Sequence, residues 1–336
     1  MTITTRVSIC LPTCNRPDLL IRCLDSCLAQ THENVEILIG DDSPDTRTER
    51  LIAARYAHET RIVYRRNVPA LGQARNVASL FARASGEKIL LIHDDDYLSE
   101  TGIECLLAQW TRYPGIDVAF GKQYEADPHG EIDLAASRRM NQAFHRGPAA
   151  QGVQRLAGRT GIVQMFPNNG WLADAALVKS IGYDERYAVC CDFVFGVRLC
   201  LAARGVCFVD EYVSCYRKSA VSVSQATRQT PSAASMAAWH FLKELALPLE
   251  LEPARRQALR RLVPIVVSLH ARNSQARAGL TLALSHLYAY RFGLSLRLYY
   301  HLLMIGKSAR LARKRSLVGR RDDDESIVEV TRTRVP

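Results

Sequence analysis

The stretch KILLIHDDDYL, residues 88–98, decides how this sequence folds and where its chemistry lies. Its short apolar run is typical of a strand that is buried on both faces of a sheet. The run leads into three consecutive aspartates at residues 94–96. Adjacent carboxylates repel one another, so a fold that gathers them at a strand end usually supplies a cation to offset the charge. Carboxylate oxygens suit Mg²⁺ or Mn²⁺, and either ion can bridge a diphosphate.

The sequence before this stretch alternates between strand and helix patterns. Strands are predicted at 7–12, 35–40, 61–65 and 88–92, and helices between them at 18–30, 46–57 and 72–84. This order predicts an α/β fold with a mostly parallel sheet and helices on both faces. Such sheets bind ligands at the carboxyl ends of their strands, and three polar clusters fall there: residues 12–16, 41–42 and 94–96.

The order of elements changes beyond residue 98. The pattern predicts helices at 100–113, 174–181 and 192–204, strands at 117–124 and 206–217, and a loop over the Arg-, Gly-, Pro- and Gln-rich residues 125–161. From about 232 to 317 the sequence looks helical throughout, with breaks at its prolines. We therefore expect a catalytic domain at 1–225 and a helical, basic C-terminal region at 226–336.

Each acidic cluster has a plainer explanation beside the functional one. The aspartates at 94–96 could form a solvated turn that caps a following helix, and Asp41 with Asp42 is good turn chemistry. Asp192 directly precedes a predicted helix, where Asp is a common N-cap. A carboxylate at such a helix start inside a cleft can also act as a general base. The two carboxylate clusters at neighbouring strand ends together favour a site.

Cysteine usage and charge limit the class of protein. Ten cysteines are scattered without a C-x-x-C pair, which predicts reduced thiols and a cytoplasmic protein rather than a zinc site. Met1 to Arg6 leaves no room for a signal peptide before the first strand. Residues 253–321 contain fifteen Lys or Arg and no Asp or Glu, so the basic excess belongs to the C-terminal region and the remainder is mildly acidic.

The C-terminal region combines these cations with two uncharged runs at 278–290 and 298–306. Neither run reaches the ~18–20 residues that span a bilayer. Seven basic residues follow between 307 and 321. This pattern predicts peripheral contact with the inner face of an anionic membrane, and no nucleic acid is expected because no nucleic-acid motif accompanies the charge. The alternative is a helical subdomain or a dimer interface with a solvated basic tail.

Four segments in order resemble family 2 glycosyltransferases. They are VSICLPTCNRP at 7–17, EILIGDDS at 36–43, GQARN at 72–76 and LIHDDDYL at 91–98, and the stretch 184–217 with Cys191-Asp192 and Tyr216-Arg217 is also similar. The resemblance covers roughly residues 7 to 220. It implies the GT-A fold, an α/β domain with a Rossmann-like mixed sheet, and inverting transfer from a nucleoside diphosphate sugar to a glycan or lipid-linked acceptor.

The resemblance also implies roles for individual residues. Nucleotide or donor binding would involve Pro12, Thr13, Asn15, Asp42, Arg75 and Asp94. Asp94 and Asp95 match the aspartate motif that holds Mn²⁺ or Mg²⁺, with Asp95 as the direct ligand, and Asp192 matches the catalytic base. Two departures stand out: His93 and Cys191 occupy positions where many members have an acid.

Two other functions compete with glycosyl transfer. A sugar-nucleotide nucleotidyltransferase also has an open α/β sheet with metal-binding aspartates. Such enzymes usually follow the first strand with a Gly-rich loop, whereas this chain has PTCNRP at 12–17. A non-catalytic nucleotide-sugar sensor is the other alternative, and the presence of both Asp95 and Asp192 argues against it.

Overall fold

The computed structural model describes residues 5–218 and 232–310. They divide into two compact units. The first holds the residues up to 218 together with 246–255, and the second holds 232–245 and 256–310. The predicted domain boundary at 225/226 lies outside the described residues and stays a prediction.

The first unit is built on a mixed sheet of nine strands within the described residues. Its strands are β1 (Val7–Thr13), β2 (Val35–Asp41), β3 (Ile62–Arg66), β4 (Lys88–Leu91), β5 (Tyr97–Leu98), β6 (Val118–Ala126), β7 (Gly152–Val153), β8 (Trp171–Asp174) and β9 (Val206–Arg217). The strand order is β3-β2-β1-β4-β8-β6-β9-β5, with β7 paired to β9. The predicted alternation of strands and helices up to β4 is confirmed.

The sheet is uniformly parallel over its first half and mixed over its second half, where β6 and β9 pair in parallel. β3, β2, β1 and β4 run parallel, whereas β8 lies antiparallel to both β4 and β6. The carboxyl ends of β1, β2 and β4 therefore lie at the same edge as the amino end of β8. Our sequence analysis assigned no strand at residues 171–174, because three apolar residues and an aspartate that lead directly into a helix carry no period of their own.

The helices of the first unit are α1 (Pro17–Leu28), α2 (Arg47–Arg55), α3 (Gln73–Arg83), α4 (Gly102–Arg112), α5 (Leu134–Ala143), α6 (Ala157–Ile162), α7 (Ala175–Ile181) and α8 (Cys191–Ala202). The prediction of a loop over 125–161 was wrong, since α5, β7 and most of α6 lie within it. Asp133 caps α5 by accepting a hydrogen bond from the backbone of Ala136, and the packing of Ser137 and Asn141 against β6 stabilises a polar helix that has little apolar periodicity.

Two apolar clusters fix the helices to the sheet. Leu20, Cys23 and Leu24 of α1 pack against Ile9 and Leu11 of β1 in the main core. On α3, β8 and α8, an aromatic cluster joins Phe81, Trp171, Tyr183 and Phe195, with ring centroids 4.8–6.2 Å apart. Because interiors are close-packed, this cluster holds the start of α8 at a defined position.

The second unit is helical in its described part. It contains α9 (Ser232–Glu244), most of α10 (Glu252–Arg272), α11 (Ala276–Ser285) and α12, which is helical over 296–310. Pro264 lies inside α10 rather than ending it. His301 of α12 is buried and contacts both Ser268 (3.0 Å) and Tyr290 (2.8 Å), which ties the helices together. None of the helices in the described ranges combines the length and apolar character needed to cross a bilayer.

Candidate active site

Four residues that follow β4 lie at the centre of the candidate site. The strand is buried, and the chain turns directly after it, so His93 and the three aspartates lie at the sheet edge. His93, Asp95 and Asp96 each offer one ligand atom, and these atoms lie within 4.8 Å of one another. We call these three residues the His-Asp cluster. The carboxylate oxygens of Asp95 and Asp96 are ligands that Mn²⁺ and Mg²⁺ accept, so the cluster fits a divalent cation.

The Asp94 side chain points into the protein interior, unlike that of Asp95. It is fully buried, and its carboxylate accepts a hydrogen bond from the Thr13 hydroxyl (2.7 Å) and pairs with Arg16 (2.5 Å). Arg16 also contacts Asp95 Oδ2 at 3.0 Å, so one guanidinium holds both aspartates. Asp94 thus links the end of β1 to the end of β4. Its predicted metal contact stays a prediction.

Burial raises the pKa of two of these carboxyls. The pKa of Asp94 is raised to about 6 by desolvation and by Asp95, although Arg16 lowers it. Desolvation and the Asp95 charge raise the pKa of Asp96 to about 7. Asp96 accepts hydrogen bonds from the Arg217 backbone (2.9 Å) and from the Asn169 amide (2.7 Å). A carboxylate cluster with such raised pKa values gains from a bound cation.

The predicted nucleotide-binding residues lie beside this cluster. Pro12 and Thr13 end β1, and Asn15 follows with a positive φ of 56°, which lets its backbone N–H donate to Ser43 Oγ at 2.7 Å. Asp42 is buried at the end of β2 and accepts from the Asn67 amide and from the backbone N–H groups of Leu71 and Gly72 (2.8–3.0 Å). Asp42 therefore fixes the loop that leads into α3, and its role in nucleotide binding stays a prediction.

Arg75 lies on the first turn of α3, next to that loop. Its Nε donates to the Leu71 carbonyl at 3.0 Å and lies 3.5 Å from the Glu185 carboxylate. The guanidinium is exposed, so it can reach a bound anion without breaking a buried contact. The structure therefore brings all six predicted nucleotide-binding residues to one edge of the sheet.

Asp192 lies in the first turn of α8 and faces the His-Asp cluster. Its Oδ1 accepts a hydrogen bond from the buried Tyr183 hydroxyl (2.8 Å), and its Oδ2 accepts one from Gln73 Nε2 (3.3 Å). Its Oδ1 also lies 3.9 Å from His93 Nε2. The N-cap position is Cys190, not Asp192, so the alternative of a simple helix cap is wrong. A carboxylate held by two side-chain donors beside the candidate metal cluster is suitably placed for a general base.

Several site residues were missed by the sequence analysis. Asn169 and Tyr183 contact His93, Asp96 or Asp192 and lie outside the segments that we quoted, whereas Gln73 lies inside GQARN but was given no role. Arg16 lay inside a motif that we recognised but was given no role. Gly170 could have pointed to Asn169, because a glycine that a turn requires indicates that the neighbouring residue has a fixed position. It has a φ of 71°, and a Cβ there would lie 2.3 Å from Ser214 Oγ, so the turn before β8 needs glycine.

Comparison with known proteins agrees with this geometry. Residues 8–160 match the family model of Glycosyl transferase family 2. These residues are therefore similar to a family 2 glycosyltransferase domain. Over 211 residues the chain is 33% identical to the poly(ribitol-phosphate) beta-glucosyltransferase of Bacillus spizizenii. The alignment covers 55% of this chain and 32% of the relative. The chain spans 40% or less of the length of the first curated relatives that it matches.

Two solved structures share the fold at low sequence identity. One is S. aureus TarS 1-349 in complex with UDP-GlcNAc, with a TM-score of 0.55 and 15% identity, covering 91% of this chain and 92% of that one. The other is the mannosyltransferase PcManGT of Pyrobaculum calidifontis in complex with GDP-Man and Mn²⁺, with a TM-score of 0.59 and 14% identity, covering 93% and 87%. The predicted GT-A fold with a helical C-terminal region is confirmed.

Proposed function

We propose that this protein is an inverting glycosyltransferase that moves a sugar from a nucleoside diphosphate sugar to an acceptor hydroxyl. The observation that carries the proposal is the position of Asp192. Its carboxylate faces a cluster of metal-type ligands at the sheet edge of a family 2 domain. Similarity to a poly(ribitol-phosphate) beta-glucosyltransferase supports an acceptor in cell-surface polysaccharide synthesis.

In the proposed reaction, Asp192 accepts the proton of the acceptor hydroxyl as its oxygen bonds to the anomeric carbon. The bond from that carbon to the diphosphate breaks on the opposite face, so a single displacement inverts the centre. Tyr183 and Gln73 hold Asp192 by hydrogen bonds to its two oxygens. Thr13, Asn15, Asp42 and Arg75 would shape the nucleotide pocket.

We propose Mn²⁺ or Mg²⁺ as the cofactor, with Asp95 as its first ligand and Asp94 close by. A cation at Asp95 would offset the negative charge that develops on the departing diphosphate. Asp95 and Asp96 supply the carboxylate oxygens of the cluster, and oxygen ligands suit either ion. Arg16 contacts Asp95 and would release it when a cation binds.

We also propose that the acceptor is a glycan or lipid-linked glycan that the protein meets at the cytoplasmic face of a membrane. The support is a basic stretch of the second unit: residues 256–310 contain nine Lys or Arg and no Asp or Glu. No nucleic-acid partner is expected.

The test is a turnover and thermal-shift panel of UDP-, GDP- and dTDP-sugars with and without Mn²⁺. Binding of one donor should raise the Tm by mass action, and its slow hydrolysis should release the nucleoside diphosphate. If a donor binds but no nucleoside diphosphate is released, even with glycan acceptors present, the result would favour the non-catalytic nucleotide-sugar sensor. Release of pyrophosphate from a nucleoside triphosphate and a sugar phosphate would favour the nucleotidyltransferase.

A further inference from the structure

Large apolar side chains are exposed along one side of α12 and the turn before it. Leu296, Tyr300 and Leu303 recur at helical spacing and therefore share one face. Phe292 and Leu294 precede them. The exposed fractions of these side chains are Phe292 77%, Leu294 87%, Leu296 86%, Tyr300 58% and Leu303 67%. We call these five residues the apolar stripe. Contiguous exposed apolar groups of this size mark interaction sites in proteins.

Basic residues flank the apolar stripe in the sequence, and residues 256–310 contain no acidic one. Arg291 and Arg297 flank its first part, and Lys307 and Arg310 continue the same helical face beyond Leu303. The nine basic residues between 256 and 310 are Arg256, Arg260, Arg261, Arg272, Arg277, Arg291, Arg297, Lys307 and Arg310, and no Asp or Glu occurs there. The occupant of this surface must therefore be apolar at its centre and anionic at its edge.

The basic residues beside the apolar stripe favour one kind of binding partner over another. A second copy of the chain would place its basic residues opposite those of the first copy, and like charges repel one another. An anionic lipid surface offers phosphates to the cations and acyl chains to the leucines. Helices that lie in the membrane interface have this composition, with Lys and Arg at the polar side and Leu, Phe or Tyr at the apolar side.

We infer that the apolar stripe enters the headgroup region of an anionic membrane, while Arg291, Arg297, Lys307 and Arg310 contact lipid phosphates. This inference gives the proposed membrane contact a surface, and it does not depend on the chemistry at Asp192. The protein would lie on the membrane without spanning it, in agreement with the absence of a spanning helix in the described ranges.

Vesicle binding by the full-length protein tests the inference. Co-sedimentation is measured with phosphatidylcholine vesicles that contain or lack phosphatidylglycerol, at low and high salt. We expect binding only to the anionic vesicles and weaker binding at high salt, because screening shortens the range of the phosphate contacts. Leu294→Ser and Leu296→Ser should each lower the partition coefficient about tenfold, since each removes one inserted apolar side chain.

Leu249→Ser is the matched control, because Leu249 is 89% exposed and lies outside the apolar stripe. It should bind vesicles like the unmodified protein. Asp192→Asn should also sediment normally, which separates this inference from the proposed reaction. Equal binding by the Leu249 and Leu296 variants would overturn the inference. So would a dimer in lipid-free solution that Leu296→Ser dissociates, because the stripe would then be an interface between copies.

Discussion

The imidazole Nε2 of His93 lies 3.9 Å from Oδ1 of Asp192, so the candidate metal cluster and the candidate base face each other across the site. Asn169 explains how the imidazole is oriented. Its amide nitrogen donates to Asp96 Oδ2 at 2.7 Å and lies 3.1 Å from His93 Nδ1. An amide nitrogen can only donate, so Nδ1 accepts, and the neutral ring carries its proton on Nε2. His93 then presents an N–H donor to Asp192 rather than a lone pair to a metal.

This tautomer is the first prediction. In protein labelled with ¹⁵N-histidine, the His93 signals, assigned with a His93→Gln variant, should show a protonated Nε2 and an unprotonated Nδ1 when the ring is neutral. Asn169→Asp should reverse the tautomer, because a carboxylate at that position accepts from Nδ1. Asn168→Asp is the matched control, since Asn168 is exposed and should leave the spectrum unchanged. A protonated Nδ1 in the unmodified protein contradicts the argument.

Asp192→Asn should separate binding from transfer. The amide keeps the size of the side chain but cannot accept the acceptor's proton, so kcat should fall by ~10²-fold or more. Donor affinity in calorimetry should change little, because the nucleotide residues lie on other elements. Asp184→Asn is the control. Asp184 pairs with Arg186 and Arg198, so its loss should lower the Tm without a comparable loss of turnover. Normal turnover in the Asp192 variant would refute its role as base.

Tyr183→Phe tests whether Asp192 must be held in place. The ring packs against Phe81 and Phe195 and would stay, whereas the hydroxyl that donates to Asp192 at 2.8 Å would be lost. We expect a lower kcat with little change in Tm, since the hydrogen bond contributes on the order of 1 kcal/mol. An unchanged kcat would show that Asp192 needs no such support.

Stabilisation by Mn²⁺ should depend on pH through Asp94 and Asp96. Burial raises the pKa of these groups to about 6 and about 7, whereas unfolded carboxyls titrate near ~4. Between these values the folded state holds more protons, so stability falls as the pH rises through that window. A bound cation offsets the charges that appear there. The Mn²⁺-induced rise in Tm should therefore be larger at pH 8 than at pH 5, and it should be absent in Asp95→Asn. An equal rise at both pH values speaks against a carboxylate site.

Cys14 offers a chemical test of the nucleotide pocket. All ten cysteines lie in the described residues, and Cys14 is the only exposed one. It lies between Thr13 and Asn15, at the end of β1, so a bound nucleotide should cover it. We expect a maleimide to label Cys14 first, and UDP or GDP with Mn²⁺ to slow that labelling. Cys14→Ser should abolish the rapid phase of labelling. Labelling at the same rate with saturating donor would place the nucleotide elsewhere.

The sequence by itself determined the first half of the sheet and the kinds of residue at its edge. Apolar runs such as residues 88–92 that alternate with helices are typical of a parallel sheet covered on both faces, and carboxylates that follow two such parallel strands lie at the same edge. The roles of Asp95 and Asp192 were predicted from resemblance, because their ordered motifs recur at the expected spacing. These assignments needed no tertiary contact.

Tertiary structure decided the second half of the sheet and the orientation of each site residue. β8 has no periodic signal, and its antiparallel pairing with β4 brings Asn169 to His93. Asp94 and Asp95 are neighbours in sequence, yet one is buried against Thr13 and Arg16 and the other faces the candidate metal site. Successive side chains at a strand end diverge, and only the packing of distant segments determines which one meets a partner and which one meets a ligand.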